Sequence, residues 1–377
     1  MSRPDSDEQA MLRETVAALV AKHASPAAVR AAIESPCGYD ESLWRLLCEQ
    51  VGAAALVVPE EQGGAGGVLG DAAVVIEELG KALVPTPLLG TTLAELTLLA
   101  ADDADTDALE QLAAGEAIGA VVFDPYYVVN GDIADIVVAA NGDKLTRWTA
   151  FTAEPVAPMD PTRRLARLAP QSSVPVGADP GVADIVVAAN GDELSRWTAF
   201  TAEPLAAMDP TRRLARLAPQ SSVPLGADPG VADAAAILLA FEQIGAATRC
   251  LELTVDYTKE RVQFARPIGS FQALKHRMAD LYVLTQAARA VVSDAVCEPS
   301  ATSAALARVA ASEAFSAVAA EGIQLHGGIA ITWEHDMQLY FKRAHGSAQL
   351  LGAPGEHLRR LEPEVFAQAH KCASDLL

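Results

Sequence analysis

The stretch Arg261-Val262-Gln263-Phe264-Ala265-Arg266-Pro267-Ile268-Gly269-Ser270-Phe271-Gln272 decides the architecture of the chain. It is a turn: Pro267 cannot donate to a helical ladder and Gly269 weakens one, so a helix that enters this segment stops in it. Long helical patterns lie on both sides. Ile237, Phe241, Ile244, Thr248, Leu251 and Val255 recur on one helix face before it, and Phe271, Leu274, Met278 and Leu281 recur after it. Residues 301–322 read as a third helix, and 334–351 and 355–371 as two more. Long helices joined by short turns predict an antiparallel bundle over 233–377.

Working toward the N-terminus, the texture changes twice. From about 119 to 232, short β-type runs (Ala120-Val121-Val122, Tyr126 to Val129, Ile136 to Val138) alternate with Asn-Gly and Asp-Pro turn signals. Residues 134–182 recur almost verbatim as 183–231, a period of 49, with differences only at 144/193, 146/195, 156/205, 158/207 and 176/225. Repeat arrays need about three units to bury a continuous core, so this is a tandem duplication inside one β domain and not a solenoid. Residues 9–118 are mostly helical: Leu12, Val16, Leu19 and Val20 at helical spacing, a cap at Asp40, a Gly-rich break at 59–67, and a helix from about Asp71 to Leu83 stopped by Pro85 and Pro87. The expected class is α+β, divided as 1–118, 119–232 and 233–377.

The chain has 377 residues, 51% apolar, with 28 basic against 49 acidic side chains and a formal charge of −21. That balance argues against nucleic acid or an anionic membrane as a partner, because phosphate surfaces require a basic footprint. The five Cys (37, 48, 250, 297, 372) are scattered and form no C-x-x-C, which reads as reduced thiols and a cytoplasmic setting. The seven His show no ligand spacing, so no metal site is expected. Gly64, Gly66 and Gly70 miss the dinucleotide-binding spacing, and neither a nucleophile elbow nor a P-loop is present.

Two segments carry chemistry. In 261–272, an Arg pair beside an aromatic ring suits a nucleotide diphosphate, with guanidinium forks for phosphate and a ring for adenine. The same residues would also suit a plain helix-hairpin turn with solvated Arg and a buried Phe. In Glu321-Gly322-Ile323-Gln324-Leu325-His326-Gly327-Gly328-Ile329-Ala330, Gly327-Gly328 permits close backbone approach to a ligand or, equally, a helix C-cap.

Both segments resemble signature regions of the flavin-dependent acyl-CoA dehydrogenase family. So does Val57-Val58-Pro59-Glu60-Glu61-Gln62-Gly63-Gly64-Ala65-Gly66 followed by Glu77-Glu78-Leu79-Gly80. The resemblance implies a helical N-terminal domain, a central β-barrel-like domain and a C-terminal four-helix bundle. It implies FAD-dependent 2,3-desaturation of an acyl-CoA, with Arg261, Phe264, Gln272, Gln324, Gly327 and Gly328 contacting FAD, commonly the FAD of a neighbouring subunit.

The resemblance also shows what is missing. Removing the α-proton requires a carboxylate base, and the two positions where the family places it are occupied by Leu351 and Ala235. The nearest carboxylate, Glu242, is expected on the helix surface or at a subunit contact. The flavin-ring strands of the family's middle domain are expected to be absent, because the segments resembling their flanks are nearly contiguous at 120–135. Such losses resemble the degenerate subunit of actinobacterial hetero-oligomers of steroid side-chain breakdown, in which a second subunit brings the base and FAD is shared across the interface, in an assembly expected to be a tetramer. Two alternatives stand beside it: a self-sufficient homo-oligomeric dehydrogenase with Glu242 as displaced base, and a flavin-free structural protein on the same fold.

Overall fold

The computed structural model describes residues 6–100, 105–123, 128–130, 133–141, 144–156, 165–175, 188–190, 193–195, 200–205, 214–219 and 230–362. Among the described residues the N-terminal part holds the α-helices α1 (Asp7–His23), α2 (Pro26–Glu34), α3 (Glu41–Leu46), α4 (Leu69–Lys81), α5 (Leu88–Leu99) and α6 (Thr106–Ala113). Their starts follow from local chemistry. Ser6 and Gln9 form a reciprocal capping box, Ser25 caps a helix whose first residue is Pro26, and the Asp40 carboxylate accepts from the amides of Ser42 and Leu43.

The C-terminal part is the expected bundle: α7 (Val231–Glu260), α8 (Gln272–Cys297), α9 (Ala301–His326) and α10 (Met337–Gln349). Residues 354–362 are helical too; the rest of the helix expected over 355–371 lies outside the described residues. By length and hydropathy α7 could cross a bilayer, but it is buried within the protein, as the central helix of a bundle must be. It packs on α9, α8 and α4, so it joins the bundle to the N-terminal helices.

That junction is unusually close. A Cβ placed on Gly245 of α7 would lie 2.2 Å from the Glu77 carbonyl oxygen of α4, and one on Gly80 would lie 2.5 Å from the Glu242 carbonyl oxygen. The two helices cross backbone to backbone at a reciprocal glycine pair, a contact no other residue allows. One continuous core runs through the crossing, from Val16 and Trp44 through Ile76 and Leu98 to Ala235 and Ala311.

The middle segment carries the strands. β1 (Gly119–Val122), β2 (Val128–Val129), β3 (Ile136–Asn141), β4 (Lys144–Val156) and β5 (Leu165–Pro175) form one sheet in the order β1-β3-β4-β5-β2. The β1–β3 pair is parallel and the others antiparallel. Barrel closure is not among the described pairings. In the second copy, Phe200 faces Pro219 just as Phe151 faces Pro170, and Asn190 faces Glu193 as Asn141 faces Lys144. The duplicated sequence therefore repeats its local pairing register.

Candidate functional site

The two segments singled out in the sequence meet at one end of the bundle. Tyr257, one turn before Arg261, stacks on His326 with ring centroids 4.1 Å apart, and its hydroxyl donates to the His326 carbonyl at 3.3 Å. An Arg277–Glu321 ion pair joins the first turns of α8 to the last turns of α9, one turn before Gln324. Arg261, Gln272, Gln324, Gly327 and Gly328 all lie exposed on this end.

The turn between α7 and α8 is a two-residue hairpin in which Val262 faces Pro267 and Gln263 faces Arg266. Its two central residues, Phe264 and Ala265, have φ of 53° and 62°. Positive φ at both positions is the geometry of a type I′ turn, normally built from Asn-Gly or Gly-Gly. Phe and Ala there are strained, and such strain persists only where the surroundings enforce it. The outcome is that Phe264 stands 87% exposed, edge to face with Phe271, over which the Arg266 guanidinium sits at 3.9 Å. A simple hairpin turn with a buried Phe is thus excluded: the ring is presented to the outside.

Gly327 ends α9 with φ of 68°, and a Cβ on Gly327 or Gly328 would meet nothing within 4 Å. The backbone there is open to an approaching group. Beneath it, His326 donates from Nδ1 to the Gly322 carbonyl at 2.8 Å and packs 4.9 Å from His335. Burial lowers the proton affinity of both imidazoles, so this support is a neutral ring stack. Ile329, Ile331 and Trp333 continue the exposed apolar surface beyond it. Guanidinium donors, a bare ring and an open Gly-Gly backbone make a set that fits a dinucleotide cofactor from one side.

The base positions are structurally closed. Ala235 has no exposed surface and Leu351 packs against the same core. Leu351 has φ of 58°, and its loop is held by the buried Arg308, whose Nη2 donates to the carbonyls of Ser347 (3.0 Å), Leu350 (2.7 Å) and Gly352 (3.3 Å). His357 Nε2 adds a contact of 3.0 Å to the Leu351 carbonyl. The sequence places Glu242 on the helix surface or at a subunit contact; in the fold it is not on the surface but buried. Its carboxylate pairs with Arg343 at 2.8 Å beside a cavity of about 30 Å³ that Asn130 and Thr86 also line. The reason is the α4–α7 crossing: α4 covers the face of α7 that periodicity alone leaves open.

Several charged residues went unread in the sequence. Glu77 is fully buried between Arg13 (2.9 Å) and Arg289 (2.6 Å). Burial raises its proton affinity, but the two guanidinium groups and Lys81 outweigh that and hold the carboxyl below its ordinary value. Glu95, also fully buried on α5, has no hydrogen-bond partner for either carboxylate oxygen among the described residues, and burial holds it well above the usual carboxylate range. Its signal was available: a lone acid in the apolar run Leu88–Leu99. Among the described residues no cluster of His, Cys, Asp or Glu is placed to hold a metal ion.

The family described as acyl-CoA dehydrogenase, N-terminal domain, matches residues 6–116, and that described as acyl-CoA dehydrogenase, C-terminal domain, matches 230–361. The chain is 65% identical over 360 residues to acyl-CoA dehydrogenase IpdE2 of Mycobacterium tuberculosis, covering 96% of this chain and 98% of that one. A solved Tcur3481–Tcur3483 steroid ACAD variant superposes with a TM-score of 0.71 at 26% identity, over 97% of this chain and 99% of that chain. The ChsE4–ChsE5 complex from Mycobacterium tuberculosis shares the fold, with a TM-score of 0.69 at 21% identity over 97% and 99% of the two chains.

Proposed function

The chain belongs to the acyl-CoA dehydrogenase family, and from that premise we propose that it is the base-less subunit of a hetero-oligomeric acyl-CoA dehydrogenase. A partner chain of the same family supplies the catalytic Glu, and FAD lies across the interface between them. In that assembly Arg261 and Gln272 face the cofactor's phosphates, Phe264 its adenine, and Gln324, Gly327 and Gly328 bring α9 against it. When bound, FAD takes up the hydride lost by the acyl chain. This chain's contribution is to hold and orient it.

The observation that carries the reading is a contrast within one molecule. Everything on the outer end of the bundle is kept and presented, down to a strained turn that exposes Phe264. The two base positions carry no proton acceptor: Ala235 is packed in the core and Leu351 against it. Glu242 offers no substitute, since its carboxylate is engaged by Arg343. A flavin-free structural role leaves the strain at Phe264 and Ala265 without a purpose.

Further support comes from the subunit pairs named in two solved structures of the same fold, one of them a steroid enzyme. A steroid-derived acyl-CoA is accordingly the substrate class we favour, with the division at 1–118, 119–232 and 233–377 and a barrel-like middle domain as the matching architecture. Only five residues separate β1 from β2, which leaves no room for extra flavin-ring strands between them. The deciding measurement is the flavin absorption spectrum of the chain purified alone and co-purified with its base-carrying partner. A yellow complex from a colourless chain supports the proposal; a chain that alone retains stoichiometric FAD and oxidises an acyl-CoA refutes it.

A further inference from the structure

A second concave surface lies on a different stretch of α7 from the bundle end. It is a groove of about 850 Å³ between α1, α4, α7 and the last turns of α8. Along α4 it runs from Leu69 to Lys81, roughly 18 Å at the helical rise. Its volume falls within the range of small-molecule sites, about 300–1,000 Å³.

The lining divides into two chemistries. Val74, Phe241 and Val296 give it an apolar wall, while Arg13, Lys81 and Arg289 bring three cations to it. One carboxylate, Glu77, lines the groove as well, and it is fully buried at the base with Arg13 and Arg289 on either side. Glu78, only 5% exposed, sits behind and takes Arg13 (2.7 Å) and Lys81 (2.6 Å). Two buried acids thus anchor three partly exposed cations in a chain of net charge −21. The anchoring matters as much as the sign. Arg289 is fixed by Glu77 and by the Thr248 hydroxyl at 3.2 Å, so its guanidinium is oriented before any ligand arrives and little ordering entropy remains to be lost.

We propose that this groove binds an amphipathic anion, its acidic head at Arg289 and Lys81 and its apolar tail along Val74, Phe241 and Val296. A neutral apolar molecule would leave the oriented guanidinium unused, and a purely polar anion would leave the apolar wall unused. The inference does not depend on the flavin reading.

The test uses the full chain and 8-anilinonaphthalene-1-sulfonate, an amphipathic monoanion whose fluorescence reports burial. Decanoate is the competitor and decanol the neutral control. One-to-one binding is expected, displaced by decanoate and at least tenfold less well by decanol. Arg289→Gln should weaken it about tenfold or more. Because that variant leaves Glu77 short of a partner and can fail to fold, Ser293→Trp serves beside it: Ser293 lines the groove and belongs to none of its ion pairs. Ser293→Trp should abolish binding while the far-ultraviolet circular dichroism stays unchanged. Binding that survives Ser293→Trp in full, or that decanol displaces as well as decanoate, overturns the proposal.

Discussion

Gly245 of α7 lies against Glu77 of α4 so closely that a Cβ at Gly245 would fall 2.2 Å from the Glu77 carbonyl oxygen. The contact does more than close a helix crossing. Glu77 is the residue that Arg13 of α1 and Arg289 of α8 both grip, so the crossing fixes four helices at once. Gly245→Ala must push the helices apart or bend one of them. Overpacking of this kind costs about 1–3 kcal/mol, and the variant should unfold several degrees below the parent in a thermal scan.

Arg308 holds the loop that carries Leu351 through three carbonyls, and it also donates to Gln243 Oε1 and Ser312 Oγ inside the core. Arg308→Gln keeps a polar group but cannot reach both sides. Each buried carbonyl left without its donor costs about 1–3 kcal/mol, which together is enough to free the 350–352 loop. Limited proteolysis should then cut at this loop in the variant under conditions where the parent stays intact.

Much of this architecture was legible in the sequence because it rests on local rules. The bundle followed from helical periodicity interrupted by Pro267 and Gly269, and the start of α3 from the cap at Asp40. The meeting of 261–272 with 321–330 was implied once the helices ran antiparallel. What stayed hidden depends on contacts between distant segments. Nothing near Glu242 in sequence announces that α4 covers it, since the signal is a glycine 162 residues away, Gly80. Likewise the sequence leaves Phe264 open between a ligand-facing ring and a buried aromatic, and only the hairpin register, which places it at a positive φ, decides between them.

Glu95 gives the protein a pH dependence with a definite sign. Its folded-state proton affinity is raised by burial, while in the unfolded chain it titrates at the ordinary carboxylate value of about 4.3. Below that value both states are protonated and the buried group's contribution is fully present. As the pH rises, only the unfolded chain releases the proton, so stability falls until the folded-state value is passed. Glu95→Gln removes the ionisation while keeping the shape of the neutral group. The variant should match the parent near pH 4 and exceed it increasingly toward pH 8, by urea denaturation at a series of pH values.

Phe264 and Ala265 allow fold and function to be separated within one turn. Phe264 is exposed and packs edge to face with Phe271, so Phe264→Ala should leave thermal stability within about 0.5 kcal/mol of the parent. Ala265→Gly should relieve left-handed strain of about 1 kcal/mol and so offset the entropy that glycine adds to the unfolded chain. If the turn exists to hold the ring outward against a cofactor, the two variants part company in the assembled complex. Phe264→Ala should lose flavin on dilution at least several-fold faster, while Ala265→Gly, which keeps the ring, should lose it at close to the parent rate. Equal flavin loss in the two would mean that backbone strain, and not the aromatic ring, is what the partner reads. Retention at the parent rate in both would remove this turn from the cofactor interface.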